Sequence, residues 1–137
     1  MTSAVIDTSI AIALCFEDEA SEEIDRLFDD VRDHGAIVPN LWHIEFANVL
    51  LQAEKRSRIT AAEAAIRLSL IADLPISLDS ETAARAWRDV LDIARHEKLT
   101  TYDAAYLELA IRRNIPLLTR DKDLARAAKR RGISVSP

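Results

Sequence analysis

Residues 115–135 read IPLLTRDKDLARAAKRRGISV, and this stretch decides the fold. Two short apolar runs flank a segment of helical period, which ends in three basic residues and Gly132. Basic residues followed by glycine are typical of a helix C-terminus, and the apolar run that comes next is typical of a strand. Basic residues and Asn114 end an earlier helix in the same way, just before the first apolar run. Repetition of strand and helix in this order predicts a parallel sheet with helices on both faces.

The rest of the chain continues this alternation of short apolar runs and longer amphipathic segments. Strands are predicted at residues 4–6, 36–38 and 75–78. Capping residues and helical spacing predict helices from Ser21 to about Gly35, from Asn40 through Ala53, from Thr60 to about Asp73, from Ser80 through Ala94 and from Thr101 through Ala110. Trp87 is expected on the inner face of the fourth helix. No linker interrupts the pattern, so we expect one α/β domain over residues 1–137, with about five mainly parallel strands.

Composition limits the classes of function. The 137 residues carry a formal net charge of -5, which is the wrong sign for holding nucleic acid by bulk electrostatics, so any such role must be local. The one cysteine, Cys15, excludes an internal disulfide and a multi-cysteine zinc site. The longest apolar run, residues 10–16, is far shorter than the roughly 20 residues that cross a bilayer. We therefore expect a cytoplasmic protein without a signal peptide or a membrane partner.

Acidic side chains lie where the predicted topology could bring them together. Asp7 follows the first strand and Asp121 follows the strand near residue 118, and the functional crevice of a parallel sheet lies at the carboxyl ends of its strands. Asp103 is in the first turn of its helix, and Glu45 belongs to a narrow polar stripe on another. Taken singly, each acid also has a structural explanation: Asp7 as a cap, Asp103 as a partner of the helix dipole, Glu45 as a solvated side chain.

Gathered carboxylates would repel one another and raise each other's pKa unless a cation lay between them. A cluster of this kind therefore indicates a metal, and oxygen ligands from aspartate and glutamate suit Mg²⁺ or Mn²⁺. The three histidines, His34, His43 and His96, follow no ligand spacing, so zinc is not expected.

Four segments in order resemble a known family. They are VIDTS at 5–9, IEFANVL at 44–50, TYDAAYL at 101–107 and LTRDKDL at 118–124. Each is weak alone, but the ordered set covers nearly the whole chain and resembles the PIN-domain nucleases, and within them the VapC-like toxins of bacterial type II toxin–antitoxin pairs. The resemblance implies a three-layer α/β/α sandwich with a central, mainly parallel sheet.

The same resemblance implies roles for individual residues. It matches Asp7, Glu45 and Asp103 to three core acids that hold the metal, and Asp121 to a more variable fourth. Asp123, two residues on, leaves the fourth assignment open. Ser9 and Thr119 match small hydroxyl residues that line such sites and orient a ligand or water.

The activity that the resemblance implies is Mg²⁺- or Mn²⁺-dependent hydrolysis of a phosphodiester bond in structured RNA, such as tRNA or ribosomal RNA, leaving a 5'-phosphate and a 3'-hydroxyl. It also implies neutralisation by a cognate antitoxin protein and, on family grounds, a homodimer. The apolar helix surface near Trp42, Phe46 and Val49 is a candidate for either contact, although core burial is the ordinary fate of such residues. Basic side chains should flank the acids to admit RNA, and the candidates are Lys55, Arg56, Arg58, Arg120 and Lys122.

Three other functions compete with this interpretation. An aspartate-dependent phosphatase also has an aspartate after its first strand, but it needs a second acid two residues later, where this chain has Ser9. A receiver domain needs an early acidic pair and a lysine after a late strand, and neither is evident. The other alternative is a degenerate PIN-like module that binds RNA or a partner without cutting.

Overall fold

The computed structural model describes residues 3–137, apart from the side chain of residue 17. Within this range five strands form one sheet in the order β3-β2-β1-β4-β5, and every neighbouring pair is parallel. The central strand pairs Val5 with Ile37 on one side and with Leu117 on the other. The strands are β1 (Ala4–Ile6), β2 (Ala36–Val38), β3 (Ile76–Leu78), β4 (Leu117–Leu118) and β5 (Val135–Ser136). The predicted parallel sheet is therefore confirmed.

Helices cover the sheet in two groups. One helix, α1, packs against α2, α3 and α4, whereas α7 packs against α6, α8 and the strands β1 and β4. The helices are α1 (Thr8–Cys15), α2 (Glu22–His34), α3 (Leu41–Lys55), α4 (Ala61–Ala72), α5 (Thr82–Arg85), α6 (Leu91–Glu97), α7 (Thr101–Arg113) and α8 (Lys122–Arg130). A 3₁₀ turn (Glu17–Glu19) follows α1, and a π-helical turn (Ala86–Val90) joins α5 to α6. No helix of the described chain is long and apolar enough to span a membrane.

The burial of α7 is unusually complete. Seven successive residues, 104–110, are buried, so the helix is enclosed on all sides rather than along one stripe. Three of the seven are alanines, which allow neighbouring elements to approach closely. The helix begins at Thr101, with the Thr100 hydroxyl accepting from the backbone N–H of Asp103, and it ends at Asn114 in the left-handed conformation. This fixed helix carries an acid in its first turn.

Several local predictions were wrong, for identifiable reasons. The apolar run after Asp7 forms α1, a helix that is absent from those predicted. Asn40 makes no side-chain capping bond, and Thr100 rather than Thr101 caps α7. The long helix predicted from Ser80 is interrupted by the π-helical turn, which changes the angular position of the residues within it. Trp87 lies in that turn and is 94% exposed instead of facing inward.

A network of buried charges joins α7 to the sheet edge. Asp79 follows β3, is 1% exposed, and accepts two hydrogen bonds from the Arg112 guanidinium at 2.9 and 2.8 Å and one from the Thr82 hydroxyl at 2.8 Å. Glu108, one turn before Arg112 on α7, accepts from the same guanidinium at 2.9 and 3.1 Å. These hydrogen bonds, above all those from Arg112, lower the pKa of Asp79 to about 2. The network therefore fixes the C-terminal half of α7 against β3.

We expect Asp79→Asn to lower the free energy of unfolding by about 3 kcal/mol at pH 7, because Arg112 would lose a buried ionic partner. The stabilisation that Asp79 contributes is present above its unfolded pKa, near 3.8, and is lost as the pH falls toward 2. Urea unfolding at several pH values measures both effects. The control is Asp89→Asn, which removes a half-exposed 3.4 Å pair with Arg85 and should cost about 0.5 kcal/mol. Equal losses from the two variants would contradict a structural role for the network.

Candidate active site

Asp7 lies at the centre of the site. It follows β1 directly, is 5% exposed, and caps α1. Its Oδ1 accepts from the backbone N–H groups of Ser9 at 3.0 Å and Ile10 at 3.4 Å and from the Ser9 hydroxyl, and its Oδ2 accepts from the Thr119 hydroxyl. Burial, the largest effect, raises the pKa of Asp7, and these hydrogen bonds oppose the increase. Asp7 thus both caps α1 and lies at the carboxyl end of β1.

The end of β4 provides the next part of the site. Thr119 follows Leu118, is 3% exposed, and accepts from the backbone N–H of Asp121 at 3.0 Å while donating to Asp7. Asp121 caps α8 by accepting from the backbone N–H of Leu124 at 2.9 Å. The predicted hydroxyl residue and one candidate fourth acid therefore belong to a single hydrogen-bonded chain that ends at Asp7.

Asp123 is placed differently from Asp121. It lies in the exposed first turn of α8 and forms an ion pair with Arg126 at 3.2 Å on the helix surface. Its side chain is 75% exposed. Asp121 is exposed as well, so the two candidates for the fourth acid differ in their hydrogen-bond and ion-pair partners and not in exposure.

Glu45 and Asp103 reach the site from two different helices. Glu45 is half-buried on α3, and its Oε1 accepts a hydrogen bond from the Tyr106 hydroxyl. Burial raises the pKa of Glu45, the Tyr106 bond lowers it, and the charge of Asp7 raises it. Asp103 lies in the first turn of α7, one turn before Tyr106 on the same face of the helix.

The negative charges of the four acids repel one another. Burial first, and then the negative charges of Asp121, Asp7 and Glu45, raise the pKa of Asp103 to about 6. The four residues come from distant parts of the chain, yet each of the other three contributes to this single shift. The structure therefore brings Asp7, Glu45, Asp103 and Asp121 into one electrostatic neighbourhood.

Tyr106 is the residue of this site that the sequence reasoning missed. It was expected only as an apolar position of its helix, but it is 1% exposed and donates to Glu45, 61 residues away. Burial, followed by the hydrogen bond to Glu45, raises the pKa of Tyr106 well above its ordinary value, so the phenol stays protonated as a donor. The usable signal was its spacing of three residues from Asp103, which places both on one helical face.

The chain is similar to known proteins along most of its length. A family model described as the PIN domain matches residues 4–130. The chain belongs to the PIN-domain family. This PIN domain is 30% identical over 121 residues to Ribonuclease VapC3 of Pyrobaculum aerophilum, an alignment that covers 88% of this chain and 91% of that protein.

Two crystal structures share the fold of this PIN domain. One is PAE2754 from Pyrobaculum aerophilum, with a TM-score of 0.72 and 22% identity, which covers 98% of this chain and 83% of that one. The other is FitAcB from Neisseria gonorrhoeae, with a TM-score of 0.56 and 17% identity, covering 98% and 96% of the two chains. At these identities the likeness concerns the fold, and it confirms the predicted α/β/α sandwich.

The donors of this PIN domain suit a divalent cation by their chemistry, since all four are carboxylates whose shared charge an ion would neutralise. Across residues 3–137, however, no group of three or more histidine, cysteine, aspartate or glutamate side chains is arranged to hold a metal ion. The acids are thus near enough to repel one another, but they do not form a closed set of ligands.

We expect Asp103→Asn to stabilise the metal-free protein at pH 7 by an amount on the order of 1 kcal/mol, after allowance for solvent screening. The folded-state pKa of Asp103, about 6, exceeds the unfolded value of 3.8, so the natural chain loses stability as the pH rises between these values. Asparagine carries no charge, so Asp103→Asn does not lose stability in this way. The gain should therefore be absent at pH 3.5 and complete above pH 6.

Urea unfolding in EDTA at a series of pH values measures this gain. Asp33→Asn, which removes the same charge from the exposed face of α2, is the matched control and should change the free energy of unfolding by less than about 0.5 kcal/mol. A loss of stability in Asp103→Asn at pH 7 would show that Asp103 is not repelled by its neighbours.

Proposed function

We propose that this PIN domain is an endoribonuclease that requires Mg²⁺ or Mn²⁺. The observation that carries the proposal is the convergence of four acids from separate elements. Thr119 donates to Asp7 and accepts from the backbone N–H of Asp121. Tyr106, one turn from Asp103 on α7, donates to Glu45, and the charges of the other three acids raise the pKa of Asp103. Concentrated negative charge of this kind costs stability and is retained where a cation and a phosphate must be handled. The similarity to Ribonuclease VapC3 supports RNA as the substrate.

Asp7, Glu45 and Asp103 would form the core of the metal site and Asp121 would be the fourth ligand, with the ion drawing the four carboxylates into the closed set that the metal-free protein does not have. When bound, the ion would lower the pKa of a water molecule and neutralise charge on the leaving oxygen of the phosphodiester. What supports Asp121 over Asp123 is its effect on the pKa of Asp103, whereas Asp123 is engaged with Arg126 at the surface.

The chain's own residues prepare the acids for this task. Ser9 and Thr119 each donate a hydroxyl hydrogen bond to Asp7 and so orient its two oxygens. Tyr106 donates to Oε1 of Glu45 and so holds this carboxylate in one orientation. Such neighbours fix the orientation of ligands and typically change activity by 10- to 100-fold when removed. We therefore assign Ser9, Thr119 and Tyr106 positioning roles.

The proposal extends to a toxin that a cognate antitoxin neutralises in the cytoplasm. An apolar groove of about 320 Å³ lies between α3 and α4, lined by residues that include Trp42, Phe46, Leu68 and Ile71. A groove of this kind suits the apolar face of a partner helix. Most of Trp42 and Phe46 is nevertheless core, since each is 3% exposed. A homodimer stays a prediction from the family resemblance.

We expect the purified protein to cleave structured RNA, such as bulk tRNA, with added Mn²⁺ or Mg²⁺ and to lose this activity in EDTA. Asp7→Asn, Glu45→Gln and Asp103→Asn should each reduce the cleavage rate by about 100-fold or more, because each removes one ligand charge. Asparagine caps helices as well as aspartate does, so Asp7→Asn should fold. The control Asp33→Asn should cleave at the natural rate. Cleavage that survives EDTA, or no cleavage with Mn²⁺, would contradict the proposal.

We expect expression of the natural chain in a bacterium that lacks the antitoxin to arrest growth, since uncontrolled cleavage of tRNA or ribosomal RNA stops translation. Asp7→Asn produced at the same level should restore growth. The comparison uses growth curves together with immunoblots of the two proteins. Equal growth of both strains would argue against a toxin while leaving the cleavage assay as the test of nuclease activity.

A further inference from the structure

One carboxylate, that of Glu19, joins two arginines from distant parts of the chain. Its Oε2 lies 2.8 Å from Nη2 of Arg58, and its Oε1 lies 3.4 Å from Nη1 of Arg120. Glu19 is in the 3₁₀ turn after α1, 39 residues before Arg58 and 101 before Arg120. The two guanidinium groups therefore converge on a single negative charge.

Arg58 is held in this position from several sides. Its guanidinium carbon lies 3.8 Å from the centre of the Phe16 ring, and its Nη2 is 3.0 Å from the Asp18 carboxylate. Phe16 is buried at the end of α1 and provides a fixed surface for stacking. Arg58 nevertheless keeps 41% of its side chain exposed, so another anion can approach it.

Arg120 borders the acidic site through the backbone. It lies between Thr119 and Asp121, and its N–H donates at 2.9 Å to the Ser9 hydroxyl, which in turn donates to Asp7. Its side chain is 40% exposed. Arg120 therefore lies beside the carboxylates, and Glu19 holds Arg58 next to it.

A carboxylate and a phosphodiester share the features that matter here, namely one negative charge and two terminal oxygens. Each oxygen of Glu19 is contacted by a different guanidinium, and guanidinium groups suit the oxygens of phosphate. We propose that Arg58 and Arg120 bind one phosphodiester of the RNA strand, and that Glu19 occupies this place as an internal competitor. The inference rests on the proposed function and adds the residues that bind the RNA backbone.

The basic cluster at residues 129–131 does not share this arrangement. Arg130 and Arg131 both pair with Glu97, at 2.6 and 2.9 Å, and Glu97 is only 9% exposed. These pairs connect the C-terminal end of α8 to α6. Arg58 and Arg120 are distinguished from this cluster by their common partner Glu19 and by the backbone hydrogen bond that links Arg120 to Ser9.

Binding of fluorescein-labelled bulk tRNA, followed by anisotropy in EDTA between about 50 and 200 mM NaCl, tests the site without cleavage. Arg58→Gln and Arg120→Gln should each weaken binding several-fold and lower the slope of log affinity against log salt by about one. Glu19→Gln should strengthen binding several-fold. Arg32→Gln and Asp33→Asn, which change the same charges at an exposed pair on α2, are the matched controls and should differ little from the natural chain.

Salt slopes unchanged in Arg120→Gln, or binding unchanged or weakened in Glu19→Gln, would overturn the phosphate site while RNA cleavage by the natural chain still stood. A natural chain that neither binds nor cleaves tRNA would overturn the site and the proposed function together. Because Arg58→Gln also loses its stacking on Phe16, its thermal unfolding is measured in parallel. If that variant is unfolded, Arg120→Gln and Glu19→Gln decide the question.

Discussion

The negative charge of Asp7 is the constraint on which the rest of the site depends. A carboxylate that is 5% exposed after a central strand costs free energy, and the hydrogen bonds of Ser9, Ile10 and Thr119 offset part of that cost. These donors belong to the first turn of α1 and to the end of β4. Satisfying one buried charge therefore sets the positions of two elements relative to β1. Every further acid in the neighbourhood adds repulsion to this fixed centre.

The helix α7 keeps that repulsion from being relieved. Its residues 104–110 are buried on all sides, and Arg112, paired with Glu108 of the same helix, attaches its C-terminal half to Asp79. Asp103, in the first turn, cannot move away from Asp7 without displacing packed side chains. The protein thus uses stabilising interactions at one end of a helix to hold a destabilising charge at the other. Such exchanges of stability for reactivity are common at functional sites.

The sequence was informative where a pattern is local. The parallel sheet was predicted from the basic residues at two helix C-termini, together with Asn114 and Gly132, because these mark helix ends directly before apolar runs. The π-helical turn was not predictable in this way, since the expected period assumes 3.6 residues per turn, and Trp87 was misplaced as a result. Contacts between residues that are far apart in the sequence, such as Tyr106 and Glu45, do not appear in a local pattern. The one signal for Tyr106 was its spacing of three residues from Asp103. Asp79, by contrast, follows a predicted strand just as Asp7 does, and the same rule applied to β3 would have drawn attention to it.

The pairing of β1 with β4 has a consequence for synthesis. Val5 pairs with Leu117, and Asp7 receives its hydrogen bond from Thr119, 112 residues later. Contacts this far apart in sequence form only once both segments are available to fold. A nascent chain therefore lacks an assembled centre until residues 117–119 have emerged from the ribosome. For a protein proposed to cut RNA, the consequence is that these contacts of the site form only late in synthesis.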